Sequence, residues 1–277
     1  MAELSVSEAG TAGFTVEKTG EVPLVSTVLL AGVPLLGHAF TLRSGGVSGP
    51  PYDTLNLGFA AGDREKDVAA NRERAWKAAK LPRPPFIPRQ VHGNEVVVLD
   101  GGNLDALCAA APEADAVVTK LRGVPLAVLT ADCVPVIIVD RRTPALGVVH
   151  AGWRGTVLNV TWKAALTMME AFGSDPADMS AAIGPCISGD CYEVGVEIRE
   201  AFVKGLPYGA DVVRPCRGGK WLADLREANR RQLLDARVPV GAVSVCPWCT
   251  HCENGMFFSA RRAGGPTGRM AAVAMLG

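Results

Sequence analysis

Residues 147–156 read GVVHAGWRGT, and residues 128–135 read VLTADCVP. Each stretch is an apolar run followed by small residues, which is typical of a buried β-strand that ends in a turn. One run ends near His150 and the other near Cys133, so each presents a soft metal ligand. Imidazole and thiolate both bind zinc, and a third candidate, His92, lies in the segment QVHGN. We therefore predict that His92, Cys133 and His150 bind one catalytic metal ion.

Each of these residues also has an ordinary structural explanation. A free cysteine is most often a small buried core residue, and a lone histidine at a strand end is more often hydrogen-bonded than metal-bound. Two neighbours favour a functional site. Asp132 places a carboxylate at the end of an apolar strand, where an acidic side chain is uncommon. The Gly-Trp-Arg-Gly segment after His150 begins a predicted helix, where the N-terminal amides and Arg154 favour an anion.

The number of histidines restricts the type of metal. The chain has only 4 of them, namely His38, His92, His150 and His251. A multicopper oxidase fills a blue-copper centre and a coupled copper cluster mostly with imidazoles, which this chain cannot supply. One site with a cysteine and two histidines can be filled, and it leaves a position for water or substrate, as catalytic zinc requires. We therefore expect one catalytic Zn²⁺ ion and no copper.

Composition excludes several classes of partner. The 28 basic residues balance the 28 acidic ones, so neither a nucleic acid nor a membrane surface is expected as a partner. The apolar run at 22–36 is interrupted by Gly and Pro and is too short to span a bilayer; it predicts one or two core strands. No secretory signal is recognised, so we expect the 8 cysteines to be thiols or metal ligands in a reducing cytoplasm.

The segment CPWCTHC at 246–252 is a rival candidate site. A C-x-x-C pair indicates either a redox pair or half of a structural zinc site, and Cys186 and Cys191 offer a second half. No second C-x-x-C occurs, and the spacing is irregular. Ordinary packing is therefore the expectation for Cys246, Cys249 and Cys252, with a structural metal and a redox pair as alternatives.

Glycine-rich loops accompany three arginines that could bind an anion. Arg43 begins RSGGVSGPP, and Arg261 and Arg262 precede a pair of glycines. Backbone amides in such loops can join a guanidinium in binding phosphate. The alternative is a solvated surface arginine, which is the expectation for at least one of Arg261 and Arg262.

The pattern of apolar segments predicts an α+β fold, with mixed β-sheets flanked by helices in a single domain. Short β-branched runs follow one another too closely for helices between all of them, so many strands must pair antiparallel. Strands are predicted at 96–99, 116–119, 126–130, 134–139, 146–149, 181–185, 243–245 and 270–276. Helices are predicted at 65–80, 156–172, 194–204 and 223–236. Residues 1–20 are expected to be flexible or strand-forming, and residues 21–277 to form the catalytic domain.

Many short segments together resemble one known family. They run in order along nearly the whole chain: RSGGVS (43–48), LNLG (55–58), QVHG (90–93), ADA (114–116), TADCVP (130–135), HAGWRG (150–155), IGPCI (183–187), CYEV (191–194), FFS (257–259) and RR (261–262). This set resembles the YfiH-like family, which is also named for laccase domains or polyphenol oxidases and is understood as zinc-dependent purine nucleoside phosphorylases. The resemblance implies zinc ligands at His92, Cys133 and His150.

The same resemblance implies phosphorolysis of adenosine, inosine, guanosine or methylthioadenosine, with adenosine deamination in some members. Nucleoside and phosphate would then be the small-molecule partners. Arg43 is the candidate phosphate clamp, and Arg154 and Arg261 are further candidate contacts. Asp132 would steer a ligand of the metal site or accept a proton. Asn56, in the LNLG segment, is a candidate substrate contact.

Two other functions fit the same residues. A zinc amidohydrolase would use the metal to attack an amide of a peptidoglycan precursor, as in a bacterial branch of the family. A non-catalytic module would use the metal only to support its structure. The coordination position that three protein ligands leave for water or substrate favours an enzyme over such a module.

Overall fold

The apolar runs form paired strands in a computed structural model that describes residues 13–277. The strands are β1 (Phe14–Thr19), β2 (Val22–Thr27), β3 (Leu36–Thr41), β4 (Val96–Leu99), β5 (Ala116–Thr119), β6 (Leu126–Thr130), β7 (Val134–Asp140), β8 (Ala145–Ala151), β9 (Met179–Ile183), β10 (Glu193–Val194), β11 (Val213–Pro215), β12 (Trp221–Ala223), β13 (Val243–Val245) and β14 (Met270–Leu276). The helices are α1 (Val28–Ala31), α2 (Glu65–Ala78), α3 (Leu104–Ala110), α4 (Trp153–Val157), α5 (Val160–Phe172), α6 (Val196–Gly205), α7 (Leu225–Asp235) and α8 (Ala260–Ala263).

The central sheet has six strands in the order β13-β9-β7-β8-β5-β4. Its two outer pairs are parallel and its three inner pairs are antiparallel, so the sheet is mixed. Every residue of β7 and β8 is buried. Burial of both faces explains why these strands show no alternation of apolar and polar residues.

Two further sheets and the helices complete the layers. A five-stranded antiparallel sheet, β1-β2-β3-β14-β6, shares a core with one face of the central sheet, including Phe40 and Ile137. Helix α5 covers the other face of the central sheet through Met168. Trp76 of α2 packs on the outer face of the five-stranded sheet. Strands β10, β12 and β11 form a small antiparallel sheet. The predicted α+β fold of mixed sheets with flanking helices is confirmed.

Several predicted boundaries are wrong, each for a local reason. The helix predicted at 156–172 is two helices, α4 and α5, because Asn159 adopts a left-handed conformation with φ of 59° between them. Asparagine tolerates this conformation better than most residues. The helix predicted from 194 begins at Val196, since Glu193–Val194 pairs with β12. The run at 22–36 contains α1 between two strands.

The N-terminal region is described only from residue 13. Strand β1 pairs antiparallel with β2 over its full length, and residues 1–12 lie outside the described part. The predicted domain boundary at residue 20 stays a prediction. Within residues 13–277, no helix combines the length and the apolar character needed to cross a bilayer.

The core between the two large sheets gives a test of the fold. Ile137 is fully buried there, so Ile137→Ala should lower the free energy of unfolding by about 2–5 kcal/mol through lost packing and a cavity. Val240 is 71% exposed, and Val240→Ala should change it by less than about 0.5 kcal/mol. Denaturant unfolding measures both variants. Equal stability of the two would contradict the placement of Ile137.

Candidate metal centre

Cys133 and His150 meet because of the pairing of two neighbouring strands. Strands β7 and β8 are antiparallel, and Val134 at the start of β7 lies opposite Ala151 at the end of β8. His92 approaches from the loop before β4, with φ of 60°. The ligand atoms of the three residues lie within 4.8 Å of one another, and the two imidazole rings are 4.9 Å apart at 79°. The structure thus brings the three predicted ligands together, and metal binding by them stays a prediction.

A buried carboxylate, Asp115, orients both histidines. Its Oδ1 accepts a hydrogen bond from Nδ1 of His150 at 2.7 Å and from the backbone N–H of His92 at 3.0 Å. Its Oδ2 accepts from the N–H groups of Val91 at 3.2 Å and Gly93 at 2.7 Å. Because Nδ1 of His150 is used in this way, Nε2 is left for a metal ion. No pattern in the sequence indicates this role for Asp115, apart from its position directly before the apolar strand β5.

The charges of the cluster favour a cation. Burial by itself raises the pKa of the Cys133 thiol, but His150 and His92 outweigh burial and lower this pKa from 9.0 to about 6. Burial lowers the pKa of His150, but Cys133 and Asp115 raise it from 6.5 to about 9. Each group therefore favours the charged form of the other, the thiolate of Cys133 and the imidazolium of His150. The thiolate is the form that binds metal, and binding would displace the proton of His150.

Glycines after His150 allow the ligands to approach. A Cβ on Gly152 would lie 2.7 Å from Cδ2 of His92 and 3.2 Å from the sulfur of Cys133. A Cβ on Gly155 would lie 2.7 Å from the carbonyl oxygen of Gly93, in the loop that carries His92. The small residues that follow the strand are therefore required by the close packing of the cluster.

Asp132 connects the turn of Cys133 to two distant segments. Its Oδ1 accepts a hydrogen bond from the hydroxyl of Thr250 at 2.6 Å, and its Oδ2 accepts one from the backbone N–H of Arg261 at 2.7 Å. The residue is 7% exposed and has a φ of 89°. Both carboxylate oxygens are thus already used in holding the turn. A role as proton acceptor stays a prediction.

A tyrosine and two arginines lie close to Cys133. Burial raises the pKa of Tyr192 to about 12, the charge of Cys133 adds to this, and Arg261 and Arg154 oppose it. The guanidinium of Arg261 stacks 4.9 Å from the centre of the Tyr192 ring, and that of Arg154 lies 4.4 Å from the Trp153 ring. The positive charges of Arg154 and Arg261 therefore act on Tyr192, which is itself a neighbour of Cys133.

Arg43 and Asn56 have contacts elsewhere in the described chain. The guanidinium of Arg43 donates to the carbonyl oxygen of Asp53 at 3.0 Å, to its carboxylate at 3.1 Å, and to the carbonyl of Asn254 at 2.7 Å. Asn56 is fully buried, and its side-chain oxygen accepts from the backbone N–H of Arg269 at 2.9 Å. None of these contacts involves the three ligands. The substrate roles of Arg43 and Asn56 stay predictions.

Cys133 and His150 lie at the ends of the two central strands of the sheet, and His92 lies in the loop before β4. Two cavities of the described chain, of about 340 Å³ and about 270 Å³, do not include them. His92 is exposed and Cys133 is half-buried, while His150 is 3% exposed. A small molecule can therefore reach the cluster from the His92 side.

Comparison with known proteins gives consistent matches. A family model described as multi-copper polyphenol oxidoreductase laccase matches residues 37–277. The purine nucleoside phosphorylase YfiH of Escherichia coli (strain K12) is 39% identical over 234 residues, which are 84% of this chain and 91% of that protein. The adenosine deaminase RL5, from an unknown prokaryotic organism, is 43% identical over 239 residues, covering 84% of this chain and 91% of that protein. The crystal structure of Bacillus licheniformis YfiH superposes with a TM-score of 0.88 at 30% identity, covering 96% of this chain and 100% of that one.

Removal of the Asp115 charge tests its orienting role. Asp115→Asn should weaken zinc affinity by about 10–100-fold, because the amide has no negative charge to raise the basicity of His150, and its NH2 group cannot accept from the N–H groups of the His92 loop. Competition with a chromophoric chelator measures the affinity. Asp105→Asn, at an exposed position in α3, is the matched control and should bind zinc like the parent. Equal affinity in both variants would contradict the orienting role.

The charge state of the metal-free cluster can be read from thiol chemistry. In protein stripped by a chelator, Cys133 should react with iodoacetamide with a midpoint near pH 6, because the thiolate is the reactive form. Below that pH the thiol is protonated and the reaction slows. Peptide mass spectrometry follows the site, and His150→Ala should move the midpoint upward. A midpoint near pH 9 in the parent would show that His150 does not stabilise the thiolate.

Proposed function

The chain belongs to the family described as multi-copper polyphenol oxidoreductase laccase, and we propose that it is a zinc-dependent purine nucleoside phosphorylase. The observation that carries the proposal is the cluster of His92, Cys133 and His150, whose donor set is typical of zinc enzymes. Relatives named purine nucleoside phosphorylase and adenosine deaminase support the substrate class. We further propose that the protein works in the cytoplasm, which its free cysteines support.

The residues fit zinc and do not fit the copper centres in the family description. Two of the 4 histidines are in the cluster. His38 accepts a hydrogen bond from the backbone N–H of Thr27 at 3.0 Å, and burial lowers its pKa to about 4. Too few imidazoles remain for a coupled copper cluster. When bound, zinc would supply Lewis-acid chemistry, polarising an oxygen or lowering the pKa of a water molecule.

Positive charge beside the cluster suits an anionic nucleophile. In phosphorolysis, a bond forms between a phosphate oxygen and C1′ of the ribose as the bond from C1′ to the purine nitrogen breaks, and the departing base takes up a proton. The transition state is cationic at the sugar, so a bound anion stabilises it. Arg154 and Arg261 would hold that anion near Cys133. Arg43 retains two N–H groups beyond its three hydrogen bonds and is proposed as a further phosphate contact.

Adenosine deamination is the second candidate function, favoured by the 43% identity to a protein named adenosine deaminase. In this reaction water adds to C6 of the purine and the amino group leaves as ammonia. The same three ligands would serve, but phosphate would not be consumed. The two functions therefore differ in their dependence on phosphate and in their products.

A panel of purine nucleosides with and without phosphate tests the proposal. The zinc-loaded protein should release free base and ribose 1-phosphate from adenosine or inosine only when phosphate is present. Cys133→Ala should lower the rate by more than about 100-fold. Loss of a residue that only hydrogen-bonds to a metal ligand costs about 10–100-fold, and loss of a ligand itself should cost more. Cys108→Ala, at an exposed cysteine in α3, is the matched control and should keep the parent rate.

The products distinguish the alternatives. Ammonia released without phosphate would favour deamination, and amino-acid release from a muropeptide precursor would favour the amidohydrolase. No base from any purine nucleoside, with zinc loaded and the fold intact by circular dichroism, would reject phosphorolysis. Unfolding of Cys133→Ala on loss of zinc would instead favour a structural role for the metal.

A further inference from the structure

A second group of soft ligands lies outside the centre described above. Atoms of Cys191, His251 and Cys252 that can bind a metal lie within 4.8 Å of one another. The sulfur atoms of Cys191 and Cys252 are 3.4 Å apart, although the residues are 61 positions apart in the chain. His251 and Cys191 are half-buried and Cys252 is exposed, so the group opens to solvent. None of the three residues belongs to the first cluster.

Backbone contacts bring the two loops of this second cluster together. The segments around Cys186 and Cys249 form a parallel β-bridge, and the N–H of Thr250 donates to the carbonyl of Cys186 at 3.1 Å. Arg226 donates to the carbonyls of Cys186 at 3.3 Å and Trp248 at 3.0 Å. These contacts hold the loops in place without using the three ligands. Their side chains are therefore presented together by a framework built from other atoms.

The cysteines of the CPWCTHC segment have different environments. Cys246 is fully buried in the core between the sheets. Cys249 is 7% exposed, and its sulfur accepts a hydrogen bond from the N–H of Ser188 at 3.3 Å. His251 and Cys252 complete the group with Cys191. Core packing accounts for Cys246, and the sulfur of Cys249 already accepts from Ser188, so the last two residues of the segment remain to be explained.

The chemistry of the second cluster favours a divalent cation. Two thiolates and one imidazole form a soft donor set that zinc prefers, and a water molecule can complete four ligands. The sulfur atoms of Cys191 and Cys252 are close enough to share one ion, and His251 offers a nitrogen within the same 4.8 Å. A disulfide would join the two sulfurs but would leave the nearby imidazole of His251 without a role.

We propose that Cys191, His251 and Cys252 bind a second Zn²⁺ ion, separate from the ion of the first centre. The ion would join two loops that form part of the surroundings of Cys133. One loop carries Tyr192, and the other carries Thr250, whose hydroxyl donates to Asp132. The second ion would therefore stiffen these loops, whichever reaction the first centre performs, with water in the position that its three protein ligands leave.

Zinc content measures the proposal directly. The full-length protein is reduced, loaded with zinc and separated from excess metal by gel filtration. It should then contain two zinc ions per chain, as measured by inductively coupled plasma mass spectrometry. Cys252→Ser and Cys133→Ala should each hold one ion, and the double variant none. Cys108→Ser, at an exposed cysteine outside both clusters, is the matched control and should hold two.

Several outcomes would overturn the second site. One ion in the parent that Cys252→Ser also retains would do so, as would two ions in Cys252→Ser. A disulfide between Cys191 and Cys252 in protein kept under reductant, with a single zinc ion, would also reject it. If Cys252→Ser does not fold, cobalt-loaded Cys133→Ala decides the question. A thiolate-to-cobalt charge-transfer band in that variant supports the second site, and absence of the band overturns it.

The structural role has a separate readout. In Cys252→Ser, backbone amides at 188–194 and 249–254 should exchange hydrogen faster than in the parent, while those of β7 and β8 should not change. Unchanged exchange in both loops, despite loss of one zinc ion, would contradict the stiffening role.

Discussion

The hydrogen bonds of the Asp115 carboxylate are the interaction on which the first centre depends. One buried side chain accepts from the imidazole of His150 and from three consecutive backbone N–H groups at 91–93. A buried carboxylate is costly unless such partners compensate it. The loop that carries His92 is therefore fixed to the end of β8 by the group that orients His150. Any change in this carboxylate would move two of the three ligands together.

Pairing of β7 with β8 places Cys133, the third residue of the cluster, beside His150. In an antiparallel pair, the start of one strand lies beside the end of its neighbour, so Cys133 and His150 meet without a further device. Layers on both faces of the central sheet keep these strand ends rigid. Gly152 then removes the one side chain that would separate His92 from Cys133. The centre is thus a consequence of sheet topology, adjusted by small residues.

The surroundings of the centre come from segments that are distant in the chain. Asp132 joins the turn of Cys133 to Thr250 and to the start of α8, and Tyr192 and Arg261 stack beside it. The second cluster lies in these same loops. One metal ion would perform chemistry at the strand ends, and the other would hold the loops that border it. Zinc ions with catalytic roles and zinc ions with structural roles are both common in proteins.

The sequence by itself predicted most of the strands, the α+β class and the three residues that meet in the first cluster. Strands 96–99, 116–119 and 126–130 have the predicted bounds, because short apolar runs leave a local signal, which is clearest in a strand that is buried throughout, as at 116–119. The ligands were recognisable because soft side chains stood at the ends of such runs. Asn159 interrupts a predicted helix by adopting a left-handed conformation, which the periodicity of apolar residues does not reveal.

The tertiary structure alone decided which polar groups meet. Asp115 is one of many acidic residues in the chain, and only folding places it against His150 and the amides at 91–93. Folding likewise buried Cys246 in the core and brought Cys191, across 61 positions, next to Cys252. Hydrogen bonds and metal sites depend on distances of a few ångströms between segments. Those distances are set by strand order and packing, whereas the apolar pattern of a segment is set by that segment alone.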